Sequence, residues 1–273
     1  MKDFQGRVAV VTGGGGGIGA ALAEAFAARG ARVVLADLHL GAAEDVAERL
    51  RAAGAEAVAV RTDVTDRDAV RALADETLRH YGGVHIVCNN AGIALFGEMA
   101  QATHADWEYT MRVNFWGVVH GVEAFVPRLL AQKQGGHIVN TASMAGLVGM
   151  QWLGVYCASK FAVVGLSEAL NRELAPRGIG VSVLCPMIVE TNINANSLRN
   201  RPKDLRNPDH TDQPPDIEAG SMVGSVIPPD EVGRRVVRAI DRNDLYVLTH
   251  PEQREILRRR ARKQDKMFEP DVW

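Results

Sequence analysis

The chain has 273 residues, 47% of them apolar, with 31 basic and 33 acidic side chains for a formal charge of −2. That length suits one α/β sheet with helices on both faces, and the charge gives no reason to expect nucleic acid or an anionic membrane surface as a partner. Cys88, Cys157 and Cys185 show no paired spacing, so a reducing compartment is expected. No apolar run approaches the ~18 residues of a membrane span and the opening residues hold no apolar signal region, so the expectation is a cytoplasmic protein.

Short Val/Ile/Ala-rich runs alternate with longer helical patterns, the signature of βαβ units and a doubly wound parallel sheet of about seven strands. The first strand is predicted over residues 7–12. It runs into Thr12-Gly13-Gly14-Gly15-Gly16-Gly17-Ile18-Gly19, which opens a helix over 18–29. A turn without Cβ atoms at a helix N-terminus can bring backbone N–H groups against a pyrophosphate. The register is open: Gly14, Gly16 and Gly19 satisfy G-x-G-x-x-G, while Gly13, Gly17 and Gly19 give a wider spacing. A second strand over 32–36 ends at Asp37, about twenty residues on, where a carboxylate accepts from adenosine ribose hydroxyls. It would also repel a 2′-phosphate, and Leu38-His39-Leu40 bring no Arg or Lys, so NAD (NADH) is favoured over NADP. A turn or capping role is the alternative for Asp37.

A helix over 42–53, a strand over 57–61, a helix over 66–81 and a strand over 84–89 follow. Residues 103–131 read as a helix with a break, and 137–141 as the fifth strand. The helix predicted over 152–174, ended near Pro176, carries Tyr156 and Lys160 one turn apart on one face. Lowering a phenol from a pKa of about 10 toward 7 takes roughly 4 kcal/mol of preferential stabilisation of the phenolate, and a fixed ammonium in a partly dry site can supply much of it. Alone, this spacing fits a surface pair as well. After a strand over 180–184 the pattern dissolves at 190–229, too long for a plain connection and read as a substrate lid. A helix over 231–241, a strand over 245–249 and a basic helix over 252–263, inside a helical extension at about 251–273, complete the chain. No repeat or linker divides it, so residues 1–273 are read as one domain.

Thr12-Gly13-x-x-x-Gly17-Ile18-Gly19, Asp63-Val64, Asn89-Asn90-Ala91-Gly92, Asn114, Ser143 and Tyr156-x-x-x-Lys160 stand in order at compatible separations. With them the chain resembles the short-chain dehydrogenase/reductase family over nearly its full length, and the resemblance favours the glycine register of Gly13, Gly17 and Gly19. It implies a Rossmann fold and a catalytic set of Asn114, Ser143, Tyr156 and Lys160; no metal is expected, since the eight histidines are scattered and His80 with His85 lacks a third ligand. It also implies a coenzyme site that includes Gly16, Ile18, Asp37, Leu38, Asp63, Val64, Asn90, Ala91, Gly92, Tyr156, Lys160, Pro186, Val189 and Thr191. In that scheme Tyr156 exchanges the substrate proton, Ser143 holds the reacting oxygen, Lys160 lowers the Tyr156 pKa, and Asn114 holds a helix break on the proton route to solvent.

Two departures stand out. Met187 occupies a position where the family usually has glycine, and is expected either to narrow the substrate mouth or to be a plain structural exchange. The C-terminal segment continues into an arginine-rich helix, read as a solvated face. It weakens the case for the family's usual homotetramer and leaves a homodimer through the helices at 103–131 and 152–174 as the safer expectation. Leu95, Phe96, Met144, Met150, Trp152, Leu153, Met187 and Ile193 are the candidate pocket residues, together apolar, so a bulky hydrophobic secondary alcohol or its ketone is the expected substrate. The chain's two ends look like those of the aryl-alcohol Cα-dehydrogenases of this family; a hydroxysteroid or terpenoid alcohol competes. A catalytically silent NAD-binding regulator is the reading from another class, and the intact Asn114, Ser143, Tyr156 and Lys160 set argues against it.

Overall fold

The first strand, β1 (Val8–Thr12), is buried on both faces, and its side chains divide strictly by period two. Ala9 and Val11 enter one apolar layer, with Leu22, Phe26, Val236 and Ile240; Val8 and Val10 enter another, with Leu73, Phe125, Leu129 and Leu170. Strands buried on both faces are what an all-parallel sheet covered by helices requires. The computed structural model describes residues 1, 3–207 and 224–268.

In chain order the elements are β1, α1 (Gly17–Ala27), β2 (Arg32–Asp37), α2 (Leu40–Ala52), β3 (Ala57–Arg61), α3 (Arg67–Tyr81), β4 (Ile86–Asn89) and α4 (His104–Met111). A π-helical turn, Arg112–Trp116, then leads to α5 (Gly117–Gln132), β5 (Gly136–Thr141), α6 (Gly154–Leu174), β6 (Ile179–Cys185), α7 (Ile193–Arg199), α8 (Pro229–Arg242), β7 (Tyr246–Leu248) and α9 (Arg254–Asp265). The seven strands form one sheet in the order β3-β2-β1-β4-β5-β6-β7, every neighbouring pair parallel. This is the doubly wound Rossmann arrangement, and the chain reverses its direction of travel across the sheet between β1 and β4. Ligands in such sheets lie in the crevice outside the strand C-termini at that reversal.

Two expectations are corrected, at the start of the Tyr156 helix and at 190–229, and the helix break is met. The helix of Tyr156 starts at Gly154, because Trp152 takes a left-handed φ of 66° and its carbonyl instead accepts from Gly97 N at 2.8 Å. The break expected within residues 103–131 is the π turn, where one inserted residue shifts the ladder. Part of the segment at 190–229 is regular: α7 and a 3₁₀ turn at Lys203–Leu205 are packed structure, while the expected lid over 208–223 lies outside the described residues. The basic helix is present as α9, and none of its residues is buried.

Candidate active site

Tyr156 and Lys160 lie one turn apart on α6, facing the end of β5. Lys160 Nζ donates to the carbonyl of Thr141, the last residue of β5, at 2.9 Å, and lies 5.6 Å from the centroid of the Tyr156 ring. Ser143, two residues past the strand, has extended backbone; its Oγ accepts from Ala145 N at 3.1 Å and donates to Pro186 O at 3.4 Å. The hydroxyl is thus fixed between the ends of β5 and β6, close enough to Tyr156 to favour the ionised phenol.

Burial still dominates both titratable groups. Loss of water pushes the Tyr156 phenol up to about 12 despite Ser143, and it pulls the Lys160 ammonium down to about 8. Within the polypeptide the ammonium points at the Thr141 carbonyl and not at the phenol oxygen.

Asn114 reaches this group through the π turn that projects it inward. Its Oδ1 accepts from Ile93 N at 2.8 Å, and its Nδ2 donates to Ile93 O at 3.0 Å and to Ser159 Oγ at 3.1 Å. Fully buried, it pins the chain just after Asn90-Ala91-Gly92. Asn114 and Lys160 converge over Gly92, where a Cβ would stand 3.2 Å from Asn114 Oδ1 and 3.4 Å from Lys160 Nζ.

The glycine turn is shaped by backbone demands at three positions. Gly13 and Gly17 have left-handed φ of 65° and 51°, and a Cβ on Gly19 would run into the Gly13 carbonyl. Those are the glycines of the wider register. Gly16 caps α1 with open space around it, and Ile18 follows in the helix's first turn, which has no side-chain cap and no acidic residue. An uncapped, approachable helix N-terminus is suited to an anion. The Asp37 carboxylate accepts from Gly15 N and His39 N, each at 2.9 Å, so it also braces the turn. Leu38 beside it is half-buried.

Thr12 Oγ1 accepts from Asn90 N at 2.9 Å and Ala91 N at 3.1 Å, tying the tips of β1 and β4 together across the crevice. Asp63 accepts from the hydroxyl and the N–H of Thr65, and the carbonyl of the buried Val64 accepts from His120 at 2.9 Å. Thr191 lies over Gly17, where a Cβ would meet its methyl at 3.1 Å, and Val189 bridges to Ile227.

The candidate pocket residues separate. Phe96, Met150, Leu153 and Ile193 pack in one cluster with Tyr156, together with Ala94, Cys157 and Phe161. Ala94 and Phe161 carry no motif and were missed for that reason. Leu95 belongs to a different cluster with Tyr109, Leu198 and Leu205, under α7, and Met144 is fully buried core. Trp152 is half-buried at the turn before α6, and Met187 stands beside Gly224.

Residues 192–207 carry Arg199, Arg201, Lys203 and Arg206. Arg201 is 2% exposed: it pairs with Asp106 at 2.7 Å, donates to Leu205 O at 2.6 Å and lies over the Tyr109 ring. Arg199 bonds Asn196 at the surface. Asp106 also closes the capping box of α4 with Thr103 and accepts from Asn207 Nδ2 at 2.9 Å, while Ser197 accepts from Ala94 N at 2.9 Å. Arg201 is thus a staple between this segment and α4. A helix start at residue 103 was expected from the sequence; the capping box and the pairing of Asp106 with Arg201 were not.

This fold and this arrangement of tyrosine, lysine, serine and glycine turn define a nicotinamide-dependent oxidoreductase of the Rossmann type. The short chain dehydrogenase family matches residues 7–202, and the chain belongs to that family. It is 34% identical to a Cα-dehydrogenase of Sphingobium sp. over 93% of this chain and 84% of that protein. It is 41% identical to a 1-deoxy-11-beta-hydroxypentalenate dehydrogenase of Streptomyces exfoliatus over 69% of each chain. Among solved structures, a short-chain dehydrogenase/reductase from Burkholderia phymatum in complex with NAD superposes with a TM-score of 0.90 at 39% identity, covering 99% of this chain and 98% of that one. Among the described residues, no helix is long and apolar enough to cross a membrane.

Proposed function

We propose that the protein is an NAD(H)-dependent dehydrogenase that interconverts a bulky hydrophobic secondary alcohol and its ketone. The observation that carries this reading is the junction of a phenol, a hydroxyl and an ammonium with an apolar cluster: Tyr156 is held among Phe96, Met150, Leu153, Phe161 and Ile193 with Ser143 at its polar end.

The fit to a dinucleotide rests on the glycine cradle, which added Cβ atoms would obstruct, and on the uncapped α1 N-terminus. Gly13, Gly16, Gly17, Ile18 and Gly19 would hold its phosphates. Asp37 and Leu38 would hold one ribose and Asp63 and Val64 the adenine, with Asn90, Ala91 and Gly92 beneath the second ribose. Pro186, Val189 and Thr191 would close over it. An oxidised nicotinamide ring, when bound, supplies the hydride acceptor and a further positive charge beside the phenol. Asp37 supports NAD over NADP, since its carboxylate would oppose a 2′-phosphate.

The chain's own residues then handle one proton. In oxidation Tyr156 takes the hydroxyl proton of the alcohol; in reduction its neutral phenol returns it to the carbonyl oxygen. Ser143 hydrogen-bonds that oxygen and stabilises the charge that develops on it. Lys160 supplies one fixed positive charge and binds the coenzyme ribose, and Asn114 keeps the Gly92 turn under both. Cys88, Cys157 and Cys185 are free thiols, consistent with a cytoplasmic location. The half-exposed Trp116, at the junction with α5, supports self-association through α4, α5 and α6.

The likeness to a hydroxypentalenate dehydrogenase favours a second reading within the same chemistry, a terpenoid or steroid alcohol as substrate. A panel of aryl, terpenoid and steroid secondary alcohols, each with NAD and with NADP and followed at 340 nm, separates these. Tight NADH binding with no turnover of any class would instead indicate a regulator on this fold.

A further inference from the structure

The two ends of the connection between β6 and α8 meet at one imidazole. The outgoing chain passes Pro186 and Met187, and the returning chain arrives at Gly224. Between them runs a short parallel bridge, with Glu190 N donating to Ile227 O at 3.0 Å and Ile227 N to Ile188 O at 3.1 Å. His250, just beyond β7, is 2% exposed. Its Nε2 lies 2.8 Å from Ser225 O, while its Nδ1 lies 3.4 Å from Met187 N and 2.7 Å from Thr249 Oγ1. A carbonyl oxygen only accepts and a backbone N–H only donates, so these partners assign a neutral ring with its hydrogen on Nε2. Glu252 strengthens the returning end, accepting from Ser225 N at 2.8 Å and Ser225 Oγ at 3.0 Å. Gly224 is close enough that a Cβ would reach His250 Cδ2 at 3.4 Å and Met187 Cγ at 3.5 Å.

Met187 follows Pro186, whose carbonyl meets the candidate catalytic group. The carbonyl of Pro186 accepts from Met144 N at 2.9 Å and from Ser143 Oγ at 3.4 Å. A continuous set of contacts therefore runs from Ser225 through His250 and Met187 to Pro186 and Ser143. None of the hydrogen bonds of His250 goes to the glycine turn of the coenzyme cradle.

We propose that His250 is a positioning residue for substrate recognition: it holds the backbone of Met187, next to the Pro186 carbonyl that Ser143 bonds, against Gly224 and Ser225, and so sets the side chain that the family resemblance puts at the mouth of the substrate site. This rests on the reading of the Tyr156 site as a secondary-alcohol site. It gives the C-terminal segment a part in specificity, since the ring that holds the mouth comes from beyond the last strand.

The test compares the wild-type chain with His250→Ala, His250→Gln and the surface variant Glu252→Ala. Three readouts apply: oxidation of 1-phenylethanol with NAD, NADH affinity by fluorescence, and amide hydrogen exchange at Met187, Ser225 and Ile227. His250→Ala is expected to raise the KM for 1-phenylethanol about tenfold, with kcat within about threefold and a smaller rise in the NADH Kd, about threefold, since Pro186 and Val189 flank Met187 while the glycine turn is untouched. Exchange at all three amides should quicken. Glutamine, whose side-chain amide can donate to Ser225 O, should recover part of the KM. Glu252→Ala, which leaves the buried ring in place, should quicken exchange at Ser225 alone. Unchanged exchange at Met187 and Ser225 in His250→Ala, an unaltered KM, or a KM and NADH Kd that rise by the same factor would each overturn the positioning role. A wild-type chain inert toward every alcohol of the panel counts against the proposed function itself, and the positioning role falls with it.

Discussion

The Lys160 ammonium lies 5.6 Å from the Tyr156 ring centroid yet is spent on the Thr141 carbonyl, 2.9 Å away. Two groups one helical turn apart are thus neighbours without a direct hydrogen bond between them. The polypeptide alone holds the phenol as a neutral acid, pushed up to about 12 by burial, and the ammonium at about 8.

Tyr156→Phe removes the proton carrier while keeping the ring in its apolar cluster. Turnover of whichever alcohol the panel identifies should fall by about 10³-fold or more, in the range of general acid–base contributions, with NADH binding changed less than about threefold. The difference in phenolate absorbance between wild type and this variant should show no Tyr156 ionisation below about pH 11 in the coenzyme-free chain, following the raised pKa. Retained turnover would remove Tyr156 from the mechanism.

How much of this was legible follows from the range of the interactions involved. The strand 57–61 and the helices flanking it follow local periodicity, and the structure reproduces them within a residue or two. The Tyr156–Lys160 juxtaposition was legible because helical geometry alone makes it. The start of α6 was misplaced because the left-handed Trp152 answers to a partner at Gly97, far away in sequence. For the same reason the burial of Arg201 could not be read locally: Asp106 and Leu205 take up its donors, and no local pattern announces that pairing. His250 was hidden likewise, since its meaning depends on Met187 and Ser225 arriving from either side.

Arg201→Met should test the staple. Removing one partner of a buried pair leaves the Asp106 carboxylate with one charge uncompensated, which typically costs about 3–5 kcal/mol. Thr103 and Asn207 still bond that carboxylate, so the lower end of the range is expected. Urea unfolding should show a lower midpoint, with proteolysis quickened first around residues 195–207. An unchanged midpoint would mean that the pair carries no net stability.

Acid should destabilise the fold through its buried histidines. His137, 1% exposed and paired with Ser182 Oγ at 2.8 Å, is pulled by burial from an ordinary 6.5 down to about 3; His85, which accepts from Val8 N at 3.1 Å, is lowered for the same reason. Folding favours the neutral ring in both, so the stability they contribute is complete above about pH 6.5 and is lost as the pH falls toward 3. For His137 the full difference is on the order of 5 kcal/mol. Asp106 adds in the same direction: burial alone would raise its carboxyl, but hydrogen bonds from Thr103 and Arg201 outweigh it and hold it below the usual value. Equilibrium unfolding between pH 7 and 4 should therefore show proton uptake on unfolding. His137→Gln, which keeps a donor toward Ser182, should flatten the slope; an unaltered slope would assign the acid sensitivity elsewhere.

Asp37 offers the sharpest separation of a binding role from a bracing role. Its carboxylate already accepts from Gly15 N and His39 N, so part of its charge is engaged in holding the glycine turn. If it also meets the adenosine ribose, Asp37→Ser should weaken NADH binding about tenfold and relieve the repulsion of a 2′-phosphate, so that NADPH affinity rises while NADH affinity falls. A purely structural carboxylate would behave differently: losing it would loosen the turn for both coenzymes alike and lower both affinities by the same factor. Asp37→Asn sharpens the comparison, because its amide oxygen can still accept from Gly15 N while the negative charge is gone. Titration of NADH and NADPH fluorescence against all three chains gives a ratio of affinities that does not depend on the substrate. A ratio that stays constant across the wild type, Asp37→Asn and Asp37→Ser would remove Asp37 from coenzyme selection.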